Sequence, residues 1–223
     1  MVVAPLAVLL LAGGEGVVLT NLVGAAGGAL LLWSVPDQIE WARLGLLAVS
    51  TVIGALIGAL IVGSLDVAVF RLAVGILLTL AILGSLLIGR LSLHVTAPGW
   101  ALLAGGATGT LVTISGIGGP PMSIYAVASD WPHRRFAATM QPYVAFSSLI
   151  GAGAVLLVEP TALPDLPGWM WAAVGAALAA GLVGGSVLSR IVSESTGRAI
   201  VVTLGLIGAA SAIASGLSIL LER

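Results

Sequence analysis

Seven stretches of this chain are nearly free of charge, and each is about as long as a bilayer is thick. They cover residues 16–33, 41–63, 67–89, 98–115, 136–157, 168–189 and 197–221. A helix needs about 20 mostly apolar residues to cross the hydrocarbon core. In lipid the backbone must satisfy its own hydrogen bonds, so spanning segments are helices or closed barrels. Runs of this length read as helices. Of the 223 residues 59% are hydrophobic and 8% are charged, against about 25% charged in a soluble domain. Such a chain cannot build a surface that faces water, so the bilayer is its solvent. The Arg, Asp and Glu residues lie at or near the edges of the runs, and so do the six tryptophans, as interfacial belts do. Two shorter apolar pieces remain, 1–12 and 121–129. The first lacks the positive region that opens a signal peptide.

The charged residues exclude several functions. All eight basic residues are arginine and the net charge is −1, so no basic field awaits a nucleic acid. Without cysteine there is no disulfide, no thiolate chemistry and no cysteine-based metal site. His94 and His133 stand far apart beside expected loops, outside any metal-ligand spacing. No metal or cofactor is expected. Arginine placement also bears on topology, because cytoplasmic loops carry the excess of basic residues. If 98–129 crosses once, Arg71, Arg134, Arg135, Arg190 and Arg198 share a side against Arg43, Arg90 and Arg223. If it enters and returns, Arg43, Arg90, Arg134, Arg135, Arg190 and Arg198 share a side against the other two. Both arrangements put loops 130–135 and 190–198 in the cytoplasm and the C-terminus outside.

The chain also resembles itself. With a shift of 127, Gly54 meets Gly181, Gly58 meets Gly185, and Arg71 meets Arg198. Each half then has a G-x-x-x-G pair, which lets membrane helices approach closely, followed by a polar turn and an arginine opening the next helix. Thirty-one glycines make chance pairs common, but the arginine in register favours a duplication. The expected units are 1–97, an N-terminally incomplete first repeat, and 98–223, the second, within one membrane domain. The shift places the first-half partner of Gly116 to Pro121 ahead of Met1. Residues 1–12 then read as the apolar tail of that motif, with the true start upstream or the chain a shortened variant.

The partnerless motif is "TISGIGGPPMSIY". Pro120 and Pro121 donate no hydrogen bond, and Pro120 disfavours helical backbone at Gly119. A helix ending near Ser115 should unwind through Gly116, Gly118 and Gly119, and a new one should begin at Pro121. Its free amides and the positive end of its dipole would suit a small anion. Thr113, Ser115, Ser123 and Tyr125 add hydroxyls. A proline kink relieved by glycine is the plainer account; the density of glycine, proline and hydroxyl residues favours a binding site. In the next run Gln141 and Tyr143 flank Pro142, and polar groups at such depth usually face the bundle interior. They read equally as interhelical bonds or substrate contacts. Thr20 and Asn21, near the shifted partners of Ser147 and Ser148, are candidates for the opposite wall.

"GIGGPPMSIYAVA" with "FAATMQPYVAF", and the helix pair from Trp41 to Leu87 with "DVAVFRLAVG", resemble the TauE/SafE family of bacterial membrane transporters. The likeness covers nearly the whole chain. It implies an all-α polytopic protein of the bacterial inner membrane, with about seven to eight transmembrane helices in two related halves and a Gly-Pro-broken helix in the second half. It implies export of sulfite, an organosulfonate or another small organic anion, and roles for Gly116, Gly118, Gly119, Pro120, Pro121 and Tyr125. The chain departs from the family in lacking the first glycine motif. It also has Ala137 where members often carry a basic residue.

Other classes fit less well. A rhomboid-type protease needs G-x-S-G and an intramembrane histidine, but Thr113 stands where the glycine should be. "GIGGPP" lacks the third glycine of a dinucleotide fingerprint and the Lys of a P-loop. The chain is therefore read as a non-enzyme whose partners are a small anion and the lipid bilayer. A non-transporting subunit, or one that works only as a homo-oligomer, is the alternative. Substrate, direction and coupling ion are not written in the sequence.

Overall fold

The computed structural model describes residues 14–32, 38–64, 66–88, 95, 97–191 and 194–221. Among the described residues there are helices and no strand. They are α1 (Gly14–Leu32), α2 (Trp41–Ser64), α3 (Val67–Ile88), α4 (Pro98–Ser115), α5 (Gly119–Ala128), α6 (His133–Val158), α7 (Gly168–Ile191) and α8 (Glu194–Leu221), with a 3-10 turn at Pro160–Ala162. Each of the seven apolar runs is a helix. The 121–129 piece forms most of α5, and the 1–12 piece lies outside the described residues. Among the described residues, α1, α2, α6 and the Gly168–Val187 part of α7 are long and apolar enough to cross a membrane. Gly205–Leu221, within α8, is a shorter apolar helix.

Glycine sets the closest packing. A Cβ on Gly54 would strike the Gly106 carbonyl, and one on Gly58 would lie 2.9 Å from the Thr110 carbonyl oxygen. From the other side, Gly105 presses on Leu47 and Gly109 on Thr51. Helices α2 and α4 therefore run parallel with backbones in contact, as a G-x-x-x-G pair permits. The antiparallel pair α1 and α6 meets where Gly28 abuts the Gln141 carbonyl and Ala145, and again where Gly14 meets Val155 and Glu159. In the pair α3 and α8, Gly75 lies on Ala209 and Gly216 on Ala68. The second G-x-x-x-G pair behaves differently from expectation. Gly181 and Gly185 meet nothing within 4 Å, because α7 lies on the outside of the bundle and touches mainly α1.

Helices α4 and α5 form an antiparallel hairpin. The Val95 amide, ahead of α4, donates to the Ala128 carbonyl at the end of α5 over 2.7 Å. Met122 and Ala126 pack into one cluster with Ala104 and Ala101. The segment 98–128 thus leaves one end of the bundle and returns to it. Ion pairs fix the same end independently. Glu40 reaches Arg43 and Arg135, each at 3.5 Å, so the start of α2 and the 129–135 turn lie together. Of the two arginine distributions weighed from sequence, this geometry matches the six-against-two one. The opposite end carries Gly14 and Glu159.

Adding 127 to the limits of α2 gives those of α7, and the starts of α3 and α8 differ by the same number.

Candidate functional site

The chain breaks where glycine and proline make a helix impossible. Helix α4 ends at Ser115, and Gly116 caps it in the left-handed region at φ 70° with its amide on the Val112 carbonyl. Glycine enters that region without the penalty other residues meet. Helix α5 begins at Gly119, two residues before the expected Pro121, with the prolines as its next two residues. Proline fits a first turn, where amides have no partner anyway. But it also deletes them. The bare amides at this N-terminus are those of Gly118 and Gly119, fewer than the sequence suggested.

Depth can be read from the helix starts. Thr51, Thr108 and Tyr143 each stand ten residues past the first residue of their helices, Trp41, Pro98 and His133. All three starts lie at the Arg43 end. At 1.5 Å per residue that is about 15 Å in, half of a hydrocarbon core about 30 Å thick. Their side chains meet there. The Tyr143 hydroxyl lies 2.7 Å from Thr51 Oγ1, with the Thr108 side chain beside it. Thr51 Oγ1 lies 2.7 Å from the Leu47 carbonyl oxygen and 3.1 Å from that of Gly105. Thr108 donates to the Gly118 carbonyl at 3.3 Å. A hydroxyl has one proton, so once Thr51 gives its own to a carbonyl, Tyr143 must donate to Thr51. Three buried hydroxyls thereby join α2, α4 and α6 to the backbone that opens α5.

Thr20 and Asn21 stand beside the break on α1. A Cβ on Gly116 would come within 2.8 Å of the Thr20 methyl. Asn21 Nδ2 donates to the Val112 carbonyl at 3.1 Å, the same oxygen that takes the Gly116 amide. Gly118 is walled by Val112 and Thr108. The hydroxyls of the motif are spent locally. Thr113 donates to Gly109, Ser115 to Leu111, Ser123 to Gly119, and Thr20 to Gly16, each one helical turn back. Ser115 also accepts the Ile117 amide at 3.3 Å, so its hydroxyl ties the end of α4 to the break. Gln141 is half-buried beside α1, with its carbonyl against Gly28.

Tyr125 is elsewhere. It lies near the C-terminal end of α5, at the Arg43 end, with its ring 5.9 Å from that of Trp131. The ten residues from Gly116 to Tyr125 turn the chain back on itself and carry this hydroxyl away from the break. Sequence reasoning missed Thr51 and Thr108. Both are hydroxyl residues inside apolar runs, the same signal that flagged Tyr143.

A family model described as Sulfite exporter TauE/SafE matches residues 1–212. The chain belongs to the TauE/SafE family. Membership makes it a multi-pass integral membrane protein of a family of transporters rather than enzymes, and the apolar helices agree. Comparison with curated proteins and with solved structures gave no match.

Proposed function

We propose that this TauE/SafE chain is a secondary transporter that exports a small anion, sulfite or an organosulfonate, past the break between α4 and α5. The observation that carries the reading is the interrupted backbone at Gly116–Gly118, with bare amides opening α5 beside a buried hydroxyl belt. Irregular backbone at membrane depth is tolerated where it is enclosed by protein or lines a cavity, and broken helices near the midplane commonly form transporter sites. The Gly118 and Gly119 amides would meet the anion, with Thr20 and Asn21 forming the facing wall. Pro120 and Pro121 would hold the turn open. Gln141 is a further candidate on α6. The arginine-rich end, with residues 130–135 and 190–198, is the cytoplasmic one, and the chain folds as two related halves, 1–97 and 98–223. Matching helix limits at a shift of 127 support that division. Proteoliposomes loaded with labelled sulfite should empty faster with this protein than without it. Gly118→Leu would drive a side chain into Val112 and Thr108 and should abolish the efflux. Equal efflux from variant and parent would refute the site.

One observation favours a second reading, a subunit that works only in an oligomer. Gly175, Gly181, Gly184 and Gly185 on α7 face open space, whereas the matching glycines of α2 are covered by α4. Crosslinking in native membranes separates the two readings.

A further inference from the structure

We propose a second anion-binding site, outside the break, in the corner formed by Arg43, Ser129 and Trp131. It rests on the reading that an anion is handled, but not on the break as the place that handles it.

Among the described residues, the buried atoms Arg43 Nη1, Ser129 Oγ and Trp131 Nε1 find no hydrogen-bond partner. Buried polar atoms are nearly always paired, so each orphan calls for an explanation. Two of them belong to side chains in contact, Arg43 and Trp131, and Ser129 stands in the same pinned turn as Trp131. The Arg43 guanidinium lies 4.3 Å from the Trp131 ring centroid and 5.8 Å from that of Tyr125, so the cation is held by aromatic faces. Trp131 is 6% exposed, and Phe136 braces it at 5.4 Å. The turn that presents Ser129 and Trp131 is pinned. Their amides donate to the Tyr125 and Ala126 carbonyls, both at 2.9 Å, and Asp130 between them takes a left-handed φ of 48°.

All three orphans can donate a proton, and two of them, guanidinium and indole, can do nothing else. The ligand is therefore an acceptor. Glu40 already serves Arg43 through Nε and Arg135 through Nη1, which leaves one positive charge of this triad unbalanced. An oxyanion head group satisfies donors and charge together. Sulfite, a sulfonate and a lipid phosphate share that chemistry. The corner sits at the arginine-rich end, about 15 Å from the hydroxyl belt, where an anion would wait before reaching the break.

The test is calorimetric titration of sodium sulfite, with sodium chloride as control, into the full chain in phosphatidylcholine nanodiscs. Gly118→Leu should still bind sulfite. Adding Arg43→Gln to it should abolish that binding. Adding Trp131→Phe instead keeps the ring and removes the N–H, and should weaken binding about tenfold or more, the worth of a hydrogen bond to a charged group. Nanodiscs containing phosphatidylglycerol identify the source. Sulfite binding that weakens there, through Arg43, assigns the corner to the head group of an anionic lipid; unchanged binding assigns it to the soluble anion. The proposal fails if Gly118→Leu binds no sulfite while its parent does, or if Trp131→Phe leaves affinity intact. Sulfite held at the corner of a chain that does not transport it would overturn the transport reading and leave this site standing.

Discussion

Gly116 is the residue on which the break turns. Its φ of 70° costs any other L-residue about 1–2 kcal/mol, and a Cβ would also press on Thr20. Gly116→Ala should therefore lower the unfolding free energy by about 2 kcal/mol or more, read as a fall in melting temperature in detergent. Adding Thr20→Ser removes the crowding methyl and should recover part of the loss, because the backbone strain remains. Tyr143 tests the belt in another way. Tyr143→Phe keeps the ring and deletes the proton given to Thr51, at about 1 kcal/mol for one buried hydrogen bond. If the belt steadies the opening of α5, sulfite efflux per folded molecule should drop several-fold. Ser147→Ala is the control, since among the described residues Ser147 bonds only the Val144 carbonyl of its own helix and its loss should leave efflux near the parent rate. Tyr143 was legible in the sequence as a polar group in an apolar run. Its partners were not, because equal depth emerges only once three helix starts share one end.

The α4–α5 hairpin makes a prediction about sidedness, and the absence of cysteine makes it simple to check. Trp41→Cys and Asp130→Cys should react with a membrane-impermeant maleimide from the same side. Leu163→Cys, past the far end of α6, should react from the other. Labelling of 41 and 130 from opposite sides would mean that 98–128 crosses, contrary to the Val95–Ala128 hydrogen bond. Helices were legible because lipid selects for length and hydropathy, and both are visible one residue at a time. The interruption was legible because Pro120 and Pro121 fit the first turn of a helix and not its interior, so no helix can run unbroken through them. The direction of the returning arm was not, since it depends on Arg43 and Arg135 finding the same carboxylate across 92 positions. For the same reason the corner at Trp131 escaped notice. Arg43 alone reads as a topology signal and Trp131 as part of an aromatic belt, and only their contact makes them a site. Tyr125 shows the converse. Proximity in sequence suggested proximity to the break, and the hairpin reversed it.

Two helices that match under the 127 shift are packed unequally in the whole molecule. Under the 127 shift Gly54 of α2 corresponds to Gly181 of α7, yet one is jammed against α4 and the other is open. The same substitution should then have unlike costs. Gly54→Leu must push α2 off the Gly106 backbone, and overpacking between rigid helices costs about 3 kcal/mol or more; the variant should aggregate or be lost from membranes. Gly181→Leu meets nothing in a single chain, and exposed sites of that kind change stability by about 0.5 kcal/mol at most. In mild detergent it should elute with the parent and melt with it. A Gly181→Leu protein that melts well below the parent, or shifts to a smaller particle, would mean that another chain covers α7 as α4 covers α2. The unit that carries the anion would then be an assembly, and efflux from Gly181→Leu proteoliposomes should fail together with that contact.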